Sequence, residues 1–180
     1  MDDLRVSGIR ALADLGGAHL EVDGKIVIHQ ARRLSDFVNR PDAMLEVEEA
    51  RIRFHGASGS GVWEEVEGVS LNRDRVVVLI PIGERDPGPA AGLRRERRSV
   101  RSKLFMAGLH VTGFLPVPVQ DTVAAFLEQT GRRYIPVMEA RITREGAGAW
   151  LDDLPPIHRF CLLSRSLVAA SIETRAEPSA

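Results

Sequence analysis

The sequence predicts a mainly β fold with short helices (α+β), built as two tandem small barrels or curled sheets, each with one short helix inserted. Three observations carry this reading. The phrase "VEEARIRFHG" at 47–56 returns as "VMEARITREG" at 137–146. The likeness is colinear around it: Val22, Gly24 and Phe37 meet Val111, Gly113 and Phe126, then Val47, Glu49, Ala50, Arg51 and Ile52 meet Val137, Glu139, Ala140, Arg141 and Ile142. Each half then continues through a Gly-rich turn, a Trp followed by acids (Trp63, Trp150) and a closing apolar strand.

Taken in order, each copy begins with an extended run, from Val22 to Ile28 or from Val111 to Val117. Gly24 or Gly113 interrupts it where a residue without Cβ permits a tight turn or a bulge. A short amphipathic helix follows, with Leu34, Phe37 and Val38 at i, i+3, i+4 in the first copy and Val123, Phe126 and Leu127 in the second. Asp121 reads as the N-cap, Gly131 suits the C-terminal stop, and Pro41 discourages helix beyond Arg40. So short a helix must be held by packing against the sheet. In the next strand Leu45 and Val47 share one parity, whereas Ala50, Ile52 and Phe54 share the other. Ile135 and Val137, then Ala140 and Ile142, repeat the slip. A flat strand would expose half of these side chains, so a bulge is expected near Glu48–Glu49 and Met138–Glu139. Bent strands of this kind close small barrels. "GASGSG" at 56–61 is expected to be a hairpin tip. The final strands, from Val76 to Ile82 and from Leu167 to Ile172, are apolar at nearly every position and are expected to be covered on both sides.

These elements divide the chain into a first repeat at 1–84, a Pro/Gly/Arg-rich linker at 85–101, a second repeat at 102–174 and a disordered tail at 175–180. Each unit lies near the small end of self-supporting domains, so the copies are expected to pack together by pseudo-twofold symmetry.

Composition excludes several classes of function. The chain has 180 residues, 44% hydrophobic and 27% charged, and a net charge of −1, which offers no global attraction to nucleic acid or anionic membrane. Cys161 is the one cysteine, so an internal disulfide is impossible and a packing role in a reducing compartment is expected. "MDDLRVSGIR" carries acids where a signal peptide carries bases, and no apolar run approaches the ~18 residues of a membrane span. A cytoplasmic location without membrane contact is expected.

"RRLSDFVNRPDAMLEVEEARI" followed by "SLNRDRVVVLIP" resembles a family of uncharacterised bacterial small-β domains with an Arg-Leu-Ser-Asp-x-Leu/Val-Asn signature. The first half matches at Arg33, Leu34, Ser35, Asp36, Val38 and Asn39, at Glu49 and Ala50, and at Asn72, Arg73 and Asp74. The second half departs at Ala125, Glu128 and Ser164 and keeps Arg165 opposite Arg73. This resemblance implies a shared build and no activity. More distantly, the element order resembles that of Sm-like barrels, which implies a small SH3-like barrel. Asp36 with Asn39 and "LNRDRVV" stand in corresponding order, but the spacing is Asp-x-x-Asn, and Asp74 stands where an RNA-binding loop would carry Gly.

Several constellations are candidates for function. Arg94, Arg95, Arg97, Arg98 and Arg101 could clasp phosphates of nucleic acid or a nucleotide, although a solvated turn pairing with Glu96 is the simpler reading. Their Arg-x-x-x-Arg spacing resembles the entry loop of PilZ domains, but the companion Asp/Asn-x-Ser-x-x-Gly motif is absent. Asp36, Asn39, Asn72 and Arg73 form a possible ligand or partner surface, with the alternative that Asn72 and Asp74 bond their own turn. Glu49 and Glu139, paired with Arg51 and Arg141 or with arginines of the other half, are expected to fix the register between repeats. Five scattered histidines lack metal-ligand spacing, and Ser35–Asp36 lacks a nucleophile elbow or base. No cofactor, metal or catalytic set is expected. The functional expectation is a non-enzymatic binding or assembly module with a protein partner or self-association, and the alternative is nucleic-acid or nucleotide binding through the arginine cluster.

Overall fold

The computed structural model describes residues 5–28, 33–56, 59–83, 96–106, 108–144 and 156–174. Among them the chain is mainly β, with antiparallel ladders and two α-helices. It forms two units: residues 1–85 with Leu162–Ser164, and residues 86–161 with 165–180.

In the first unit β1 (Arg5–Asp14) and β2 (His19–Ile28) make a hairpin in unbroken register from Arg5↔Ile28 to Asp14↔His19. The helix α1 (Leu34–Val38) buries Leu34 and Val38. Next, β3 (Met44–Gly56) pairs with β2, and the two-residue β4 (Gly59–Ser60) pairs back on its end through His55↔Ser60 and Gly56↔Gly59, while residues 57–58 of the expected hairpin tip lie outside the described residues. β5 (Glu64–Asn72) lies along the other side of β3, and β6 (Val76–Ile82) returns to β1. The order is β6-β1-β2-β3-β5. Leu162 and Leu163 extend it by pairing with Leu79 and Val78 on the remaining edge of β6. Val76, Val77, Val78 and Leu79 are fully buried, as an apolar strand with neighbours on both edges should be.

The second unit follows a similar order of elements, without a counterpart of β4 among the described residues. β7 (Arg97–Met106) and β8 (Leu109–Pro118) form the hairpin, followed by α2 (Val123–Gln129) and β9 (Tyr134–Arg144). β10 (His158–Ser164), a 3-10 turn at Arg165–Leu167 and β11 (Val168–Glu173) complete it. The order is β11-β7-β8-β9-β10. Among the described residues no ladder joins β5 to β6 or β10 to β11, so the hydrogen-bonded sheet of each unit is open.

The irregularities of the two units fall at matching positions. Glu49 and Glu139 have φ of 46° and 48°, the left-handed region that non-glycine residues rarely enter. Opposite them the ladders slip between Asp23 and Lys25 and between Thr112 and Phe114. These are the expected bulges. They turn Leu45, Val47 and Ala50 to one buried side, and likewise Ile135, Val137, Ala140 and Ile142. Gly24 and Gly113 serve the bulges and are not turns. A Cβ at Gly24 would stand 2.6 Å from Val47 Cγ1 and 2.9 Å from the Glu48 carbonyl oxygen; at Gly113 the distances to Val137 Cγ1 and the Met138 oxygen would be 2.5 and 2.7 Å. A second slip, between Leu12 and Ala13 of β1 against β6 and between Val168 and Ala170 of β11 against β7, also matches.

Four sequence expectations are corrected. The strands expected as a pair within 22–28 and within 111–117 are one strand in each unit, β2 or β8, whose partner is a whole strand ahead of it, β1 from Arg5 or β7 from Arg97, the latter inside the stretch assigned to the linker. The N-cap of α2 is Thr122, whose Oγ1 accepts from the Ala125 amide at 3.1 Å, while Glu173 accepts from the Val123 amide at 2.9 Å; Asp121 lies one residue too early. β11 is not covered as β6 is: Ala169, Ala170, Ile172 and Glu173 are exposed, because β11 has a ladder only with β7 among the described residues. Finally, Arg73 is buried, as described below.

Candidate functional site

Strand alternation gathers a charge cluster on one face of the first unit. On β2, Glu21 and Asp23 share a parity, as do Arg51, Arg53 and His55 on β3. The ladders set Arg10, Asp23 and Arg51 in one cross-strand row and Glu21 opposite Arg53 in the next. Glu21 and His55 are fully buried and Arg10 is 2% exposed. Arg53 donates to Glu21 Oε2 through Nε at 3.0 Å and Nη2 at 2.7 Å, and His55 Nε2 lies 2.6 Å from the same oxygen. Arg10 Nη1 approaches Glu21 Oε1 at 3.3 Å without hydrogen-bond alignment, while its Nη2 donates to Asp23 Oδ2 at 2.8 Å. Arg51 reaches that same Asp23 oxygen at 2.7 Å.

Trp63 covers this network. Its ring lies 4.5 Å from the Arg53 guanidinium carbon, 4.6 Å from that of Arg51 and 5.4 Å from that of Arg10. Cation–π attraction and exclusion of water both strengthen the ion pairs beneath. Beyond the tryptophan the character changes. Glu46, Glu48 and Glu49 of β3 and Glu64, Glu65 and Glu67 of β5 are all exposed, and Lys25 pairs with Glu49. The far edge of β5 has no ladder among the described residues.

No protein-family model, curated protein or solved structure matches this chain. Its chemistry is therefore read from geometry alone. The cluster is a closed set of charge pairs: each guanidinium named above meets a carboxylate. No group of three or more His, Cys, Asp or Glu among the described residues could hold a metal.

The residues singled out from sequence separate. Arg94 and Arg95 lie outside the described residues. Arg97 and Arg101 share one face of β7 and Arg98 lies on the other, donating to the Asp121 carbonyl at 3.0 Å, so the strand divides the expected arginine cluster. Asp36 and Asn72 are exposed; Asn72 Oδ1 accepts from the Asp74 amide at 2.9 Å, and Asn39 Nδ2 donates to the Ser35 carbonyl at 2.7 Å. Arg73 does not belong to a surface. It is 2% exposed, and its guanidinium donates to the carbonyls of Met44 at 2.9 Å, Phe37 and Arg40 at 3.3 Å and Val38 at 3.4 Å. Three of these carbonyls, those of Phe37, Val38 and Arg40, lie at the end of α1, where a cation is favoured, and the fourth opens β3. Arg165 does the same for α2 through the Leu127 carbonyl at 3.1 Å. Glu49 meets Lys25 and Arg51 meets Asp23, both inside the first unit, in place of the expected Glu–Arg pairs; Glu139 and Arg141 are exposed.

Sequence reasoning missed Arg10, Glu21, Asp23, Arg53, His55 and Trp63 as a set. The available signal was charge at period two on both strands. Counting from the bulge shows why, among the described residues, the second unit lacks these charge pairs. Lys103, His110, Thr112 and Thr143 occupy the places of Arg10, Glu21, Asp23 and Arg53. There Lys103 and His110 instead flank Phe105, at 5.0 and 4.7 Å from its ring.

Proposed function

We propose that this chain is a non-enzymatic binding or assembly module acting through protein–protein contacts, and that it arose by duplication of one small SH3-like or Sm-like β unit. Duplication is supported by the paired irregularities: the same bulge opposite the same glycine, the same ladder slip and the same arginine under the helix end. The single observation that carries the binding role is the state of the end strands. β5 and β11 each have an open edge among the described residues, and an open edge is a row of unmet amides and carbonyls suited to strand addition. No helix among the described residues is long and apolar enough to cross a membrane. A cytoplasmic location belongs to the same proposal.

Nucleic-acid binding by the arginine stretch is less well supported, because β7 sends Arg97 and Arg98 to opposite faces and the exposed glutamates of β3 and β5 repel phosphate. The two readings part in one experiment. Tagged protein is captured from native cells with and without nuclease and cross-linked, and the contacts are mapped by mass spectrometry. Protein contacts that survive nuclease and map to β5 or β11 are expected. Loss of all partners on nuclease treatment, with salt-sensitive binding to single-stranded RNA abolished by Arg97→Ala and Arg98→Ala together, would overturn the proposal.

A further inference from the structure

We infer that the partner of each open edge is a second copy of this chain, with β5 of one copy adding to β11 of the next. The inference rests on the assembly reading above and specifies its occupant. The first unit contains the template, because Leu162 and Leu163 complete it by pairing with Leu79 and Val78 of β6. β6 and β11 are equivalent strands. Each follows a turn whose arginine, Arg73 or Arg165, donates to carbonyls at the helix end, and each returns to the first strand of its unit with the same slip. β10, which supplies Leu162 and Leu163, and β5 are equivalent too, since each runs beside the bulged strand and ends just before Arg165 or Arg73. Within the first unit, strand residues of the β5 type therefore already pair with the edge of β6, and one further edge of each type has no ladder among the described residues.

Equivalence fixes the register. Counting back from Arg165 and Arg73, Leu162 and Leu163 correspond to Ser70 and Leu71; Leu79 and Val78 correspond to Ser171 and Ala170. Ser70 of one copy should lie opposite Ser171 of the next, and Leu71 opposite Ala170. Side-chain chemistry suits this. Val168–Glu173 contains no Lys, Arg or Pro, the residues that usually guard an exposed edge, and Ile172 is 52% exposed. The Gly68, Val69, Ser70, Leu71 and Asn72 half of β5 is also free of charge. Because the two edges differ, the contact is heterologous and propagates into a ring or an open chain of copies.

The full-length protein tests this by sedimentation over a concentration series, which should show species larger than the monomer. Chains carrying Ser70→Cys and chains carrying Ser171→Cys, both small changes checked by circular dichroism, are then mixed and oxidised. Directly opposed residues have Cβ atoms about 4.5–5.5 Å apart, within reach of a disulfide. The mixture should cross-link several-fold more than either chain alone or than Ser70→Cys mixed with Ser166→Cys. A monomer at every concentration, or multimers in which the Ser70–Ser171 pair cross-links no better than the control pair, overturns the inference. If capture from cells still maps another protein to β5 or β11, the binding role stands without self-assembly; if neither result appears, both proposals fall.

Discussion

Glu21 is a carboxylate with no solvent exposure, held by two guanidiniums and an imidazole. Such a network is costly to bury, and the cost is offset only while every member is present. Glu21→Gln should lower the unfolding free energy in urea by about 3 kcal/mol, since breaking a buried pair strands its partners, whereas Glu48→Gln on the same strand should be near neutral. Glu139 makes the opposite case. Its φ of 48° is a left-handed conformation in which a Cβ is unfavourable. Glu139→Gly should therefore raise thermal stability by roughly 0.5–1 kcal/mol, and Glu49→Gly should gain less because it also loses the pair with Lys25. The site was only partly legible at this scale. Alternation puts Glu21 with Asp23 and Arg51 with Arg53, but no local rule says which strands are neighbours, so their meeting with Arg10 and Trp63 is a long-range fact.

Among the elements, the bulged strands were the most legible, because a one-residue slip in apolar parity has one economical remedy and both units show it. The glycines opposite them complete the device. Gly24→Ala and Gly113→Ala should each destabilise by about 1–3 kcal/mol through overpacking against Val47 or Val137 and the adjoining carbonyl. Chemical denaturation of the two variants side by side checks whether the units depend equally on this fit. The strands β1 and β7 were hidden for a physical reason. Arg10 interrupts the apolar rhythm of β1 because it is buried as an ion pair, and β7 opens with arginines that read as a charge run although Val100, Leu104 and Met106 keep period two. Arg73 was misjudged similarly. Its position beside Asn72 and Asp74 suggests an exposed turn, while the carbonyls it satisfies come from residues 37–44.

For the molecule as a whole, Cys161 is a built-in reporter. Burial pushes its thiol up from the ordinary 9.0, so the folded protein keeps the proton where the unfolded chain loses it. Stability from this group is complete below pH 9.0 and declines as pH rises above it, by up to about 1.4 kcal/mol per pH unit. Denaturation midpoints measured from pH 8 upward should fall more steeply in the natural chain than in Cys161→Ala, and an aromatic disulfide reagent should label the thiol only as fast as the protein opens. Global organisation was legible as far as the repeated element order, which composition and motif alone would have missed. What no sequence rule disclosed is that Leu162–Ser164 belong to the first unit.

That membership has a consequence for synthesis. When the ribosome has released residues 1–85, β6 is complete but the strand that finishes its far edge has not yet been made, and about half the chain must still be translated before it arrives. The first unit reaches its final hydrogen bonding only once Leu162–Ser164 have been made. A premature stop shortly before Leu162 would thus deprive the first unit, not just the second.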